Sequence, residues 1–210
     1  MNTPEFVTAF VTLFVVVDPI GLVPLFLALT QGMSARMRRT IGLRALIVAA
    51  VLLTAFGLFG DAVLKGIGIS MPAFRIAGGV LLFLTALDML FERRTQRREG
   101  QSAEPHAPDP SVFPLGTPLL AGPGAMATMI LLAGAGTGGL HLAAVMAVMA
   151  LVLGCVFVLF LLATPLERAL GRTGTMVVTR LLGMLLAALA VQFILDGLRG
   201  AGIIATAFAR

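Results

Sequence analysis

Long apolar runs separated by short polar segments divide the chain. Six of these runs are long enough to cross a bilayer, whose hydrocarbon core requires about 20 apolar residues in a helix. Charged residues make up 12% of the chain, whereas a soluble domain carries about 25%. The sequence therefore predicts an all-α membrane protein with six transmembrane helices. The predicted spans cover residues 4–30, 40–60, 73–91, 112–134, 140–163 and 175–197.

The longest polar stretch lies near the middle of the chain. Residues 92–111 are rich in charged residues, Pro and Ser, a composition typical of a linker. This linker divides the chain into a first unit, 1–91, and a second unit, 112–210, with three predicted spans in each. Helices are expected in both units because hydrocarbon offers no partner to an unpaired backbone group, and the runs lack the alternation of transmembrane strands.

The cations are distributed unequally between the two sides of the predicted bundle. Eleven of the 15 Lys and Arg residues follow spans 1, 3 or 5, and four lie on the opposite side. By the positive-inside rule the richer side, which includes the linker, is cytoplasmic. We therefore expect a multi-pass membrane protein with both termini on the opposite, outer side. The net charge of +5 then reflects topology, so no nucleic-acid partner is expected.

The two units resemble each other in sequence. Residues 65–84 align with residues 170–189 at a shift of 105. The aligned pairs include Arg75 with Arg180 and, three residues later, Gly78 with Gly183. Because each unit holds an odd number of spans, the second must insert upside down relative to the first. The sequence thus predicts two inverted three-helix repeats, an architecture common among secondary transporters.

A proline interrupts the first span of each unit. Pro19 follows Asp18, and Pro123 follows Gly122, a correspondence at a shift of 104. Proline removes a backbone donor and clashes with the preceding turn. An N-cap residue followed by proline instead favours the start of a new helix. We therefore expect spans 1 and 4 to be broken near the bilayer midplane.

The predicted breaks suggest a binding site. Helix N-termini expose N–H groups and partial positive charge, which suit a carboxylate, and the carbonyl ends of the preceding half-helices suit an ammonium group or a cation. Such a site fits a small zwitterion, and glycines would let it approach the backbone. Asp18 is expected to bind the substrate ammonium, a proton or Na⁺; the alternative is that it only caps a helix. The candidate substrate-binding residues are Asp18, Pro19, Gly21, Thr117, Gly122, Pro123, Gly124, Thr128 and Gln192.

Four segments resemble the MarC family of bacterial inner-membrane proteins. They are residues 15–30, 74–90, 114–134 and 180–198, and they include a DPIG-xx-P element and a GPGA element that are fairly specific in combination. The family is grouped with neutral amino acid transporters, and archaeal relatives are described as carrying glycine and alanine. The resemblance implies a six-helix secondary transporter of small neutral amino acids in the bacterial inner membrane, with both termini in the periplasm or outside the cell.

Other functional classes find little support in the sequence. The chain has no GxxxxGK[ST], HExxH or CxxC motif, so we expect neither an ATP-driven pump nor an enzyme, and no metal or cofactor beyond H⁺ or Na⁺ coupling. The alternative function is a non-transporting membrane scaffold or regulator, which would not need a carboxylate between two breaks. The expected partners are a small neutral amino acid and the lipid bilayer, and a homo-oligomer is left open.

Overall fold

Helical segments make up the secondary structure of the described part of the chain. A computed structural model describes residues 1–91 and 110–204, apart from the side chain of Arg172, and these residues form no strands. In chain order the segments are α1 (Thr3–Val17), α2 (Pro19–Leu29), α3 (Ala35–Gly66), α4 (Met71–Leu90), α5 (Ser111–Leu120), α6 (Pro123–Ala133), α7 (Gly139–Leu161) and α8 (Ala163–Gly200).

The helices are long and apolar enough for a membrane. Five stretches of the described chain pass this test, and the bent pair α5–α6 makes a sixth if it counts as one span. The five stretches are Thr3–Leu29, Ala35–Gly66, Met71–Leu90, Gly139–Leu161 and Thr173–Gly200. Large apolar side chains such as Val51 and Phe59 are 63% exposed on the outside of the bundle, where lipid can solvate them. The expected all-helical, multi-pass class is confirmed.

The predicted linker lies largely outside the described residues. Positions 92–109 are not described, and Ser111, the last residue of the predicted linker, is fully buried at the start of α5. The division of the chain into units 1–91 and 112–210 remains a prediction.

Local polar caps explain where three of the helices begin. A side-chain oxygen at the N-cap accepts a hydrogen bond from a backbone N–H in the first turn, which satisfies a group with no partner inside the helix. The three caps are Asn2, bonded to Glu5 at 2.9 Å, Ser34, bonded to Met37 at 3.3 Å, and Ser70, bonded to Ala73 at 3.3 Å.

The helices α4 and α8 form the most extensive helix–helix contact, and they run antiparallel. A β-carbon at Gly79 would lie 2.8 Å from the carbonyl oxygen of Ala190, and one at Gly197 would lie 2.9 Å from that of Pro72. These glycines therefore let the two backbones approach closely, as small residues do between membrane helices.

The contacts of α4 with α8 include a reciprocal pair. A β-carbon at Gly183 would lie 3.3 Å from the carbonyl oxygen of Ala86, which mirrors the contact of Gly79 with Ala190. Gly79 and Gly183 are 104 residues apart in the sequence, and so are Ala86 and Ala190. Each contact therefore sets a glycine of one helix against an alanine of the other.

Candidate functional site

A single residue separates α1 from α2. Asp18 has φ 56° and ψ 62°, in the left-handed region. The following Pro19 disfavours the α conformation at Asp18, and Asp enters the left-handed region more readily than most residues that carry a side chain. The backbone N–H of Asp18 still donates to Phe14 at 2.9 Å, and that of Leu22 donates to Asp18 at 3.1 Å. The helical path is interrupted here while both flanking turns are kept.

The Asp18 side chain is enclosed by the protein. It is 1% exposed, and its Oδ1 accepts a hydrogen bond from the backbone N–H of Gly21 at 3.1 Å. A β-carbon at Gly21 would lie 2.7 Å from the Asp18 Cγ, so only glycine leaves room for the carboxylate. The carboxylate is therefore held at the positive N-terminal end of α2. Because ionisable groups are rare inside membrane bundles and usually functional, the buried Asp18 is a candidate functional residue.

The segment α5, which precedes the second junction, is irregular. Phe113 (φ −130°, ψ 127°) and Thr117 (φ −136°, ψ 125°) are extended, and each precedes a proline, which disfavours the α conformation before it. Wide turns connect these residues, with the N–H of Ala121 donating to the carbonyl of Gly116 at 3.0 Å. Pro114 and Pro118 interrupt regular helix in this segment, which lies within the predicted span 112–134.

The helix α6 begins at Pro123, directly after Gly122. Gly122 is extended (φ −78°, ψ 168°) and contributes no side-chain cap. The axis turns by 55° between α5 and α6. A β-carbon at Gly122 would lie 2.6 Å from the carbonyl oxygen of Pro118, because the chain folds back on itself at this bend.

The two junctions lie next to each other. A β-carbon at Gly124, in the first turn of α6, would lie 3.3 Å from Val16 Cγ1 at the end of α1 and 3.7 Å from Thr85 Oγ1 on α4. Thr128 is fully buried one turn later and donates to the carbonyl of Gly124 at 2.8 Å. The start of α6 thus packs beside the end of α1, two residues before Asp18.

Thr85 was not among the residues predicted from the sequence. Thr85 is the one hydroxyl residue of α4, and a lone hydroxyl in an apolar span could have marked it as a candidate. Its hydroxyl donates to the carbonyl of Leu81 at 2.9 Å. Its proximity to Gly124 depends on how α4 packs on α6, which no local pattern reveals.

The remaining predicted residues are placed unevenly. Pro19 is buried and Gly21 half-buried in α2, whereas Thr117 and Gly122 are half-buried and Pro123 is exposed at the α5–α6 bend. Gln192 is not brought to the junctions. It is exposed on α8, and its Nε2 donates to Asp196 Oδ1 on the same helix at 2.9 Å. Gln192 was a candidate because it is an amide inside an apolar span. The face of α8 that packs on α4 carries Gly183, Ala190 and Gly197, and Gln192 is exposed away from that face.

The geometry suits ions and small polar molecules. A buried carboxylate lies at the N-terminus of α2, and a second helix N-terminus, that of α6, begins beside it with a glycine in place of a capping side chain. The first can bind a cationic group, and the second can bind an anionic one. Within the described ranges, no group of three or more His, Cys, Asp or Glu could hold a metal ion.

Comparison with protein families places the whole chain in one group. A family model described as MarC family integral membrane protein matches residues 3–202. No solved structure matches the chain.

Curated relatives match over nearly their full lengths. A UPF0056 membrane protein of Methanocaldococcus jannaschii is 38% identical over 96% of this chain and 99% of its own. The UPF0056 membrane protein YvbG of Bacillus subtilis is 37% identical, over 92% of this chain and 94% of its own. The UPF0056 inner membrane protein YhgN of Escherichia coli is 33% identical, over 93% of this chain and 96% of its own.

Proposed function

The chain belongs to the MarC family of integral membrane proteins, and from this premise we propose that it is a secondary transporter of small neutral amino acids such as glycine and alanine. The observation that carries the proposal is Asp18. Its carboxylate is 1% exposed, lies at a helix interruption inside a bundle of apolar helices, and is close to the start of a second helix. An ionisable side chain costs free energy inside a membrane-spanning bundle, so such residues are rare there and usually take part in function.

The proposed architecture is a pair of inverted three-helix repeats in the bacterial inner membrane, with both termini outside. The pattern of contacts supports it. The helix α4 packs on α6 as α8 packs on α2, and α3 packs on α5 as α7 packs on α1. The mirrored contacts of Gly79 and Gly183 between antiparallel helices are those expected around a two-fold axis. In this arrangement the α1–α2 and α5–α6 junctions lie near the bilayer midplane.

The proposed mechanism assigns opposite charges of the substrate to the two junctions. The N-terminus of α6 binds the carboxylate of the amino acid, because Gly122 leaves its first N–H groups without a side-chain cap. Asp18 binds the ammonium group or the coupling ion, H⁺ or Na⁺. Gly21 and Gly124 keep large side chains away from the site, which favours glycine and alanine over larger amino acids. Rocking of one repeat against the other would expose the site to each side in turn.

The test is uptake of radiolabelled glycine and alanine into proteoliposomes under imposed pH or Na⁺ gradients. We expect gradient-dependent accumulation with the wild-type protein and none with Asp18→Asn. The matched control is Asp61→Asn, which removes an acid from α3 whose partner is Lys65 at the surface. It should transport like the wild type. Failure of the folded wild-type protein to transport any small amino acid under either gradient would contradict the proposal.

The second candidate is a non-transporting scaffold or regulator. One observation favours it, since the Asp18 carboxylate already caps α2 through the N–H of Gly21. Asn caps about as well as Asp, so a purely structural role predicts that Asp18→Asn leaves every property of the protein unchanged.

A further inference from the structure

A cavity of about 420 Å³ opens where the end of α2, the start of α3 and the end of α7 meet. Its volume lies in the range of ligand sites, roughly 300–1,000 Å³. The lining includes three arginines and no acidic residue, and it contains none of the residues of the proposed substrate site. The principal lining side chains are Arg36, Arg38, Arg39, Phe26, Phe157 and Phe160.

The three arginines concentrate positive charge at one point. All lie in the first turns of α3, which begins at Ala35, where the helix dipole is also positive. This placement does not stabilise α3, because cations are favoured at the opposite end of a helix. In the ranges 1–91 and 110–204, none of the three forms an ion pair with a carboxylate. Arg38 Nε donates to the carbonyl of Thr30 at 3.2 Å, which positions its guanidinium at the cavity.

The floor of the cavity is apolar. The rings of Phe26 and Phe160 stack with centroids 4.1 Å apart and an interplanar angle of 1°. Leu161, which also lines the cavity, is 51% exposed, as is its neighbour Leu162. The cavity therefore combines a cationic rim with an apolar floor that continues onto the lipid-facing surface.

We propose that this cavity binds the phosphate headgroup of an anionic phospholipid. The guanidinium groups contact the phosphate, for which arginine is well suited, and an acyl chain leaves across Leu161 into the bilayer. The arginines lie on the side predicted to be cytoplasmic, where anionic lipids attract basic groups. Inorganic phosphate is also an anion with phosphate oxygens, but it lacks the hydrocarbon that the phenylalanine floor would contact.

A single tryptophan can report on this lipid, because the chain contains none. Phe157→Trp places the reporter in the cavity lining, and Val158→Trp places it one residue further, on a side chain that is 51% exposed and does not line the cavity. Each variant is reconstituted in phosphatidylcholine vesicles that contain either brominated phosphatidylglycerol or brominated phosphatidylcholine as the quencher. We expect brominated phosphatidylglycerol to quench the Phe157→Trp reporter several-fold more effectively, and the two lipids to quench the Val158→Trp reporter equally.

Removal of the arginines should abolish this preference. Each Arg→Gln change at position 36, 38 or 39 is expected to lower the apparent affinity for phosphatidylglycerol by about fivefold. The matched control is Arg168→Gln, an exposed arginine on the same predicted side that does not line the cavity. It should leave the preference intact.

Two outcomes would overturn the proposal. Equal quenching by the two lipids at the Phe157→Trp reporter would show that the cavity has no headgroup preference. Equal quenching by the two lipids, together with a change in Phe157→Trp emission on addition of millimolar inorganic phosphate, would show a site for a free anion instead of a lipid. If Phe157→Trp does not fold, native mass spectrometry of the wild-type protein provides the same comparison. We expect the protein to retain phosphatidylglycerol and to lose it on Arg38→Gln. Equal retention of phosphatidylglycerol and phosphatidylcholine would contradict the proposal.

Discussion

The two helix junctions of this protein have the same proline but different chemistry around it. In the first unit Asp18 adopts a left-handed conformation and caps α2 with its own carboxylate. In the second unit Gly122 is extended, provides no cap, and follows a bend of 55° between α5 and α6. Proline at the first position of each new helix therefore determines where that helix begins. The residue before it determines whether a carboxylate or uncapped backbone N–H groups are available to a ligand.

Steric contacts explain why the two junctions cannot exchange their residues. A β-carbon at Gly122 would lie 2.6 Å from the carbonyl oxygen of Pro118, so an aspartate does not fit there. In the first unit the position that tolerates no side chain is Gly21, because a β-carbon there would collide with the Asp18 carboxylate. The residue 104 positions after Gly21 is Ala125, which is tolerated because no carboxylate lies above it.

The largest effect is expected when the charge at the first junction is removed. Asp18→Asn should reduce transport to the background of empty vesicles while expression and insertion stay normal. The amide still caps α2, and loss of a charge that costs about 2.5–3.5 kcal/mol at the centre of a membrane helix should hold or raise thermal stability. Proteoliposome uptake and the thermal midpoint in detergent measure the two effects. Wild-type uptake across a range of pH and Na⁺ would make the carboxylate purely structural.

A bulky residue at the second junction should cost folding stability. Gly122→Ala is expected to lower the free energy of unfolding by about 3 kcal/mol, near the upper end for overpacking, since the obstructing atom belongs to the backbone of Pro118. Thermal unfolding in detergent measures the cost. Gly154→Ala on α7, where a β-carbon meets nothing within 4 Å, is the matched control and should not destabilise the protein. Equal midpoints for the two variants would show that the bend yields freely.

A double-mutant cycle tests whether Gly21 serves the carboxylate. Gly21→Ala alone should cost about 1–2 kcal/mol and impair transport, because the methyl group displaces the Asp18 side chain. In the Asp18→Gly background the same change should be neutral or stabilising, since alanine is a better helix former by about 1 kcal/mol. The double mutant then has the Gly-Pro-x-Ala pattern of residues 122–125. Unfolding midpoints of the four proteins yield the coupling energy. Additive effects would mean that the restriction at Gly21 has another origin.

The smallest effect is expected at Gln192. Its side chain is exposed and bonds only Asp196 among the described partners. Gln192→Leu should change stability by less than about 0.5 kcal/mol, as for most surface substitutions, and should leave transport unchanged. A marked loss of uptake in this variant would show that Gln192 takes part in substrate binding after all.

The helix boundaries at the junctions were accessible from the sequence because they depend on local chemistry. Pro19 and Pro123 lack the backbone N–H of a continuing helix, so each begins a new one wherever its segment packs. The same holds for the apolar spans, whose length and composition alone make them membrane-compatible. The left-handed conformation of Asp18 follows from its position before Pro19 and its short polar side chain, although the sequence did not single out that geometry.

The sequence by itself determined the all-helical, multi-pass class of the protein and the start of α2 and α6 at Pro19 and Pro123, since these properties reside in single residues and their neighbours along the chain. Only the tertiary structure decided which residues meet. It placed Thr85 beside Gly124, left Gln192 exposed on α8, and brought Arg36, Arg38 and Arg39 into one cavity lining with Phe26, Phe157 and Phe160. The physical reason is that the face a helix buries is chosen by the fit of small and large side chains across two helices, and that fit is absent from either helix alone.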